Sequence, residues 1–351
     1  MRLLFVIGLL ISLSATAATP DNKPADCSSR QLASTELLVG EQILVPVEYH
    51  GQRLWMALDL GSPFSVLWPS AVETLHLRTE PLDDRDGFKV KIGGERVATS
   101  AAVDSLKIGG YRIGRRDFFV DPQAHPSASP AQQTVPAETE RPARESPAGR
   151  DSLPDRPVVI GWLGMGELWP VDFELDLAHR RFSLYSPGSC AKGPVHWPQH
   201  YSQVPMVLNE LGNVYFALEL NGSKIEAGIS TRNPETYMST DVSRKVFGFD
   251  EHSPDVQVRA DANGQPQAYF RAMTLTSGDL KLSDVMIRLG PAVRDCRLSS
   301  TGMFGQVAEF KGRDDYLCYG VYPLVLGTQA IEHLRLYFAP RQRTIYFTAA
   351  Q

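Results

Sequence analysis

Two stretches of this chain repeat each other at a fixed distance, and no other feature of the sequence restricts its fold so tightly. Around Asp59 the chain reads "ILVPVEYHGQRLWMALDLGSPFSVL", and around Ser230 it reads "VYFALELNGSKIEAGISTRNPETYM". They align without gaps: Gly51 falls on Gly222, Asp59 on Ser230 and Pro63 on Pro234, each 171 residues apart (222 − 51, 230 − 59, 234 − 63). Self-similarity of this kind marks a structural unit used twice. Each copy alternates apolar and polar residues about a tight turn, His50-Gly51 or Asn221-Gly222. Asn-Gly between such runs is a strong β-hairpin signal, because both central residues of the turn take positive φ. The Asn221-Gly-Ser triplet also fits a glycosylation acceptor, but the turn accounts for it.

The likeness continues downstream. "SLKIGGYRIGRRDFFV" answers to "TLTSGDLKLSDVMIRL", and "VVIGWLGMGELWPVDFELDLAHRRFSLY" to "PLVLGTQAIEHLRLYFAPRQRTIYF". In the last pair, apolar residues lead into Leu163-Gly164 or Leu326-Gly327, a short helical turn follows, and a basic hairpin closes the unit. The expected fold is all-β: a first lobe over 31–189 and a second over 200–351, related by a pseudo-twofold axis with a cleft between them. Helix is expected only in short pieces, Pro69 to Leu75, Thr240 to Phe247 and the turns after Gly164 and Gly327. Between 121 and 157 the composition turns to Pro, Ala, Ser and Glu with few large apolar residues, which cannot bury enough surface to offset the entropy of ordering. This is read as a disordered insertion inside the first lobe; loop length is tolerated because each doubling costs only about 0.6 kcal/mol.

The first 18 residues, "MRLLFVIGLLISLSATAA", combine a basic Arg2, an apolar run and small residues at the end, the pattern of a cleaved secretory signal. The run is shorter than the roughly 20 residues a spanning helix needs, so no membrane span is expected after cleavage and the mature chain is expected in the periplasm or outside the cell. In that setting the four cysteines, Cys27, Cys190, Cys296 and Cys318, read as disulfides rather than metal ligands. Three pairings are open; Cys27 with Cys190 and Cys296 with Cys318 is favoured, one bracketing the first lobe and one closing a loop in the second. Short Cys and His spacings for zinc are absent, and Pro198 separates His196 from His200. No metal and no cofactor is expected. The formal net charge of -5, with no basic stripe, excludes a nucleic-acid partner.

These residues carry a resemblance. "ALDLGSPFSVL" followed by "VVIGWLGMG" is similar to the catalytic turn and the later apolar-Gly element of the retropepsin-like and pepsin-like aspartic peptidases, and the set occurs twice. The resemblance implies two small β-barrel lobes, each giving one Asp to a pair that shares a proton and activates a water for amide hydrolysis. It assigns Asp59 as the catalytic carboxylate of the first lobe, in the turn Asp59-Leu60-Gly61-Ser62. The second turn departs from the pattern: Ser230-Thr231-Arg232-Asn233 stands where the family has Asp-Thr-Gly-Ala. A serine hydroxyl neither carries charge nor shares a proton at ordinary pH. Leu60 replaces the residue whose hydroxyl, in the family, bonds across to the other lobe, whereas Thr231 keeps it. Arg232 stands opposite Gly61, where backbone passes closely. If the lobes dock as in the family, its guanidinium reaches Asp59 and holds that carboxylate ionised.

Hairpins turning at Gly93-Gly94 and Asn263-Gly264 are the flap candidates, with glycine supplying mobility. Asp172 and Asp176 are expected at the edge of an exposed hairpin, and Glu235 is a weak substitute for the missing acid. Three readings follow: an exported aspartic-type peptidase acting through Asp59 on peptide or unfolded protein; an inactive pseudoenzyme holding extended peptide or a protein partner in the cleft; and, least favoured, an active pair of first lobes from two chains. A monomer is expected.

Overall fold

The computed structural model describes residues 29–40, 42–82, 91–92, 95–123, 157–188, 195–198, 200–208, 213–260, 264–290 and 323–350. The expected leader, most of the expected insertion, all four cysteines with their expected disulfides, and the flap candidates Gly93, Gly94 and Asn263 lie outside these ranges.

The duplicated hairpins are built alike. Strands Ile43–Tyr49 and Gln52–Asp59 pair antiparallel out to Tyr49 opposite Gln52; Val214–Leu220 and Ser223–Ile229 pair out to Leu220 opposite Ser223. The turn residues sit at φ 48° and 83° (His50, Gly51) and φ 52° and 77° (Asn221, Gly222), the left-handed pair that lets two twisted strands meet without splaying. Both hairpins bury one alternating apolar set: Leu54, Met56 and Leu58 in the first, Ile225, Ala227 and Ile229 in the second.

Around these hairpins the chain lays down two sheets with one strand order. The first runs Ile43–Tyr49, Gln52–Asp59, Val159–Gly164, Val66–Leu67, Arg116–Val120, Thr99–Val103, Thr79–Pro81. The second runs Val214–Leu220, Ser223–Ile229, Leu324–Leu326, Thr236–Ser239, Leu280–Gly290, Pro266–Ser277, Val256–Ala260. The directions agree too: the third strand in each list is parallel to the second and antiparallel to the fourth. Each sheet curls back on its hairpin at the same point, Lys107 opposite Glu48 and Thr276 opposite Glu219. Among the described residues helix is confined to short pieces, Pro69–Thr74, Met165–Leu168, Thr240–Val242 with Ser243–Phe247, Thr328–Ile331 and Pro340–Gln342. None of the described helices is long and apolar enough to cross a membrane. The fold is all-β, with two lobes of one topology.

A third sheet joins them. Its order is Gln31–Glu36, Arg181–Tyr185, Asp172–Asp176, Leu334–Ala339, Thr344–Ala349, Ser202–Pro205. At its centre Phe173 pairs with Phe338 and Leu175 with Leu336, and adding 163 to 173 and 175 gives 336 and 338, so the pairing maps onto itself. The pseudo-twofold axis therefore passes beside Glu174 and Tyr337. One face is apolar, with Phe173 and Phe338 stacked at 4.6 Å. The other face carries Asp172, Glu174, Asp176, Arg335 and Tyr337, and here the expectation from sequence fails: Asp172 and Asp176 are buried, not exposed at a hairpin edge. Their cover is the inter-lobe segment, whose Trp197 and Tyr201 lie against Tyr337 and Tyr346. Arg335 compensates the burial, reaching Glu174 at 2.6 Å and Asp176 at 3.1 Å with its side chain only 14% exposed.

Candidate functional site

The strand Gln52–Asp59 ends with Asp59 beside Gly164 of the parallel strand Val159–Gly164. The turn after Asp59 crosses directly over that glycine: a Cβ at Gly164 would lie 2.1 Å from the Phe64 carbonyl oxygen. The second lobe repeats the crossing, since a Cβ on Gly327 would lie 2.4 Å from the backbone of Pro234 and Glu235. The hydrogen bonds repeat as well. The Gly164 N–H donates to Ser65 Oγ at 2.9 Å, and the Gly327 N–H to Thr236 Oγ1 at 3.2 Å. Met165 and Gly166 donate to the carbonyls of Ser62 and Pro63; Thr328 and Gln329 donate to those of Asn233 and Pro234. Each acceptor pair is 171 residues apart. Ser65 and Thr236 are functional supports that sequence reasoning passed over, although the same offset would have found them.

The two turns meet tip to tip. Thr231 is fully buried; its hydroxyl donates to the Leu58 carbonyl at 2.5 Å and accepts from the Leu60 N–H at 3.0 Å. Leu60, buried and apolar, returns no such bond. The cross-lobe hydroxyl expected of Thr231 is thus in place, and its twin is absent.

Asp59 sits at this seam, 6% exposed, with Ser230 8% exposed at its equivalent. Asp59 Oδ1 accepts from the Gly61 N–H at 3.1 Å, and Ser230 Oγ accepts from the Arg232 N–H at 3.4 Å, the same bond one copy later. Arg232 Nη1 lies 3.5 Å from Asp59 Oδ2, and its guanidinium carbon sits 4.0 Å over the Trp162 ring. The guanidinium therefore reaches Asp59 as the sequence predicts. The expected lowering of its carboxyl does not follow: burial raises Asp59 above its ordinary value, and the Arg232 charge and the Gly61 and Ser62 N–H groups oppose that without cancelling it. A single long contact from a side chain 41% exposed is too weak to outweigh desolvation of a carboxylate. Arg232 is also accommodated more easily than expected, since a Cβ at the equivalent Gly61 would meet nothing closer than 3.4 Å.

The remaining sequence candidates go elsewhere. Glu235 accepts from the Tyr269 hydroxyl at 2.6 Å and pairs with Arg288 at 3.1 Å, which commits it to its own lobe. Asn233 serves through its carbonyl. Gly264, at φ 75°, lies in the turn between Val256–Ala260 and Pro266–Ser277; the first-lobe hairpin shows in the pairing of Ile92 with Glu95. His196 lies against Tyr185 and Glu174 rather than beside a second histidine, and no metal-holding group of three His, Cys, Asp or Glu occurs among the described residues. Trp162 had no local signal: only the meeting of the two turns brings Arg232 onto it.

Chemically, the seam offers the Asp59 carboxyl, the Ser230 hydroxyl and the Arg232 guanidinium, with the Thr231 hydroxyl already spent on backbone; among the described residues no second carboxylate hydrogen-bonds or ion-pairs with Asp59 or Arg232. Residues 45–132 match the family described as aspartyl protease, which establishes an aspartic-protease-like relationship for that part of the chain. No curated protein matches the sequence. Among solved structures, conglutin gamma, a basic 7S globulin from lupine seeds, is similar over 92% of this chain and 95% of its own, at 11% identity and a TM-score of 0.44.

Proposed function

We propose that this chain is an exported aspartic-peptidase-like protein that holds extended peptide along the seam between its lobes without cutting it. One observation carries the reading: at the position where a second carboxylate would stand, Ser230 is present, and the same turn sends Arg232 to Asp59. Hydrolysis of an amide in this class needs one group to take a proton from water and another to give one to the leaving nitrogen, which two carboxyls sharing a proton supply. Asp59 with a serine and a guanidinium supplies only half of that. The leader pattern supports a periplasmic or secreted location.

A second reading, hydrolysis through Asp59, is favoured by one fact: burial raises its carboxyl, the direction required of a proton donor near neutral pH. The test separates the two. The full chain is incubated with an unfolded protein at acidic and neutral pH beside its Asp59→Asn variant, while binding of labelled extended peptide is followed by fluorescence anisotropy. Binding without cleavage is expected. Cleavage that Asp59→Asn abolishes overturns the proposal in favour of the second reading.

A further inference from the structure

Arg232 brings a positive group to the seam. A pair of carboxyls sharing one proton makes a negative centre, whereas here the opposite turn presents a guanidinium with five N–H donors. Among the described residues its one acceptor is Asp59, met by Nη1 alone at 3.5 Å, well beyond the roughly 2.7–2.9 Å of a close charge-assisted bond. Trp162, 4.0 Å below the guanidinium carbon, fixes the group in place without supplying a counter-charge. The side chain is 41% exposed, so the unused donors are reachable from outside. Burial raises the Asp59 carboxyl, which weakens its hold on the guanidinium.

A planar guanidinium held on an aromatic ring with its donors unspent is the arrangement best suited to a carboxylate, which it grips by two parallel bonds. We propose that Arg232, seated on Trp162, is the anchor for a carboxylate of the bound peptide, so that the ligands of this protein are peptides with a free C-terminal carboxylate or an acidic side chain at the seam. This rests on the reading of the seam as a peptide-holding site and names its ligand class.

The experiment uses four labelled peptides of one apolar sequence: free acid or amide at the C-terminus, each with Glu or Gln at the centre. Binding to the native full chain is measured by anisotropy. The amide with Gln, which carries no carboxylate, is expected to bind about tenfold more weakly than the best carboxylate-bearing peptide. Which carboxylate restores binding tells a terminus from a side chain. Arg232→Gln should bring the ratio to near one, Arg232→Lys should keep part of it, and Asp59→Asn, which removes the competing group, should widen it. Equal binding of all four peptides to the native chain overturns the carboxylate anchor while leaving the peptide-holding seam standing. Binding of none overturns both. Because the decisive comparison is made on the native protein, a variant that fails to fold does not shield the proposal.

Discussion

The turns Asp59-Leu60-Gly61 and Ser230-Thr231-Arg232 occupy one place in two copies of the same unit, and they have divided its properties between them. The first keeps the carboxyl and the glycine; the second keeps the hydroxyl that bonds across the seam. Everything beneath the turns has stayed common: the crossing glycines, the hydroxyl that accepts their N–H, and the two backbone bonds that follow. The difference teaches which constraints are steric. A Cβ at Gly164 or Gly327 has no room in either copy, while a Cβ at the position of Gly61 or Arg232 has enough. Divergence went where space allowed it.

The comparison breaks most sharply at those crossing glycines. Gly164→Ala and Gly327→Ala each force a methyl to within 2.4 Å or less of backbone. Each should cost about 3 kcal/mol or more, by overpacking that only a backbone shift can relieve. Chemical denaturation of the two variants should give losses of similar size; if one is tolerated, the supports are not equivalent.

A smaller effect is expected at the seam. Thr231→Val leaves the Leu58 carbonyl and the Leu60 N–H without their buried partner and should cost about 2 kcal/mol, whereas Ser230→Ala, losing one long bond at 3.4 Å, should cost well under half of that. Equal losses would mean that the hydroxyl kept by the second copy contributes nothing special to docking.

The smallest effect concerns another pair of twin positions, Asp172 and Arg335 (172 + 163). Burial pushes the Asp172 carboxyl from 3.8 up to about 6, against the pull of the Gly188 N–H, the Tyr337 hydroxyl and the Arg341 charge. The folded state therefore holds this proton more tightly than the unfolded chain does. Its contribution to stability is present below pH 4 and is lost as pH rises through 6. Asp172→Asn should flatten that part of the profile, gaining on the native chain as pH rises from 4 to 8. Thermal melts across that range measure it, and an unchanged profile would refute the shift.

Much of this was legible in the sequence, because the evidence was periodic. The 171-residue offset gave both hairpins and their turns, since a gap-free alignment carries register, and the family resemblance implied the meeting of Thr231 with the first lobe. Two things were not legible. The acidic strand Asp172–Asp176 alternates like a half-exposed strand, and nothing within it reveals that Trp197 and Arg335 come from distant segments to cover and neutralise it. The direction of the Asp59 shift was not legible either, because the sequence shows the nearby opposite charge but not the opposing desolvation, a quantity that depends on how completely two lobes close.

The charged face of the joining sheet ties the two halves to each other. Three acids lie on the first half's strand, and the most buried cation that answers two of them, Arg335, comes from the second half, beside His179 and Arg181 of the first half at Asp176. Were two first halves to dimerise through this sheet, Glu174 would face Glu174, six carboxylates would be enclosed, three from each copy, and the guanidinium at position 335 would be replaced by the carboxylate of Asp172. Such a dimer would be disfavoured by its enclosed carboxylates. The halves are alike in fold, and this exchange of charge makes the second half a better partner for the first than a second copy of the first would be.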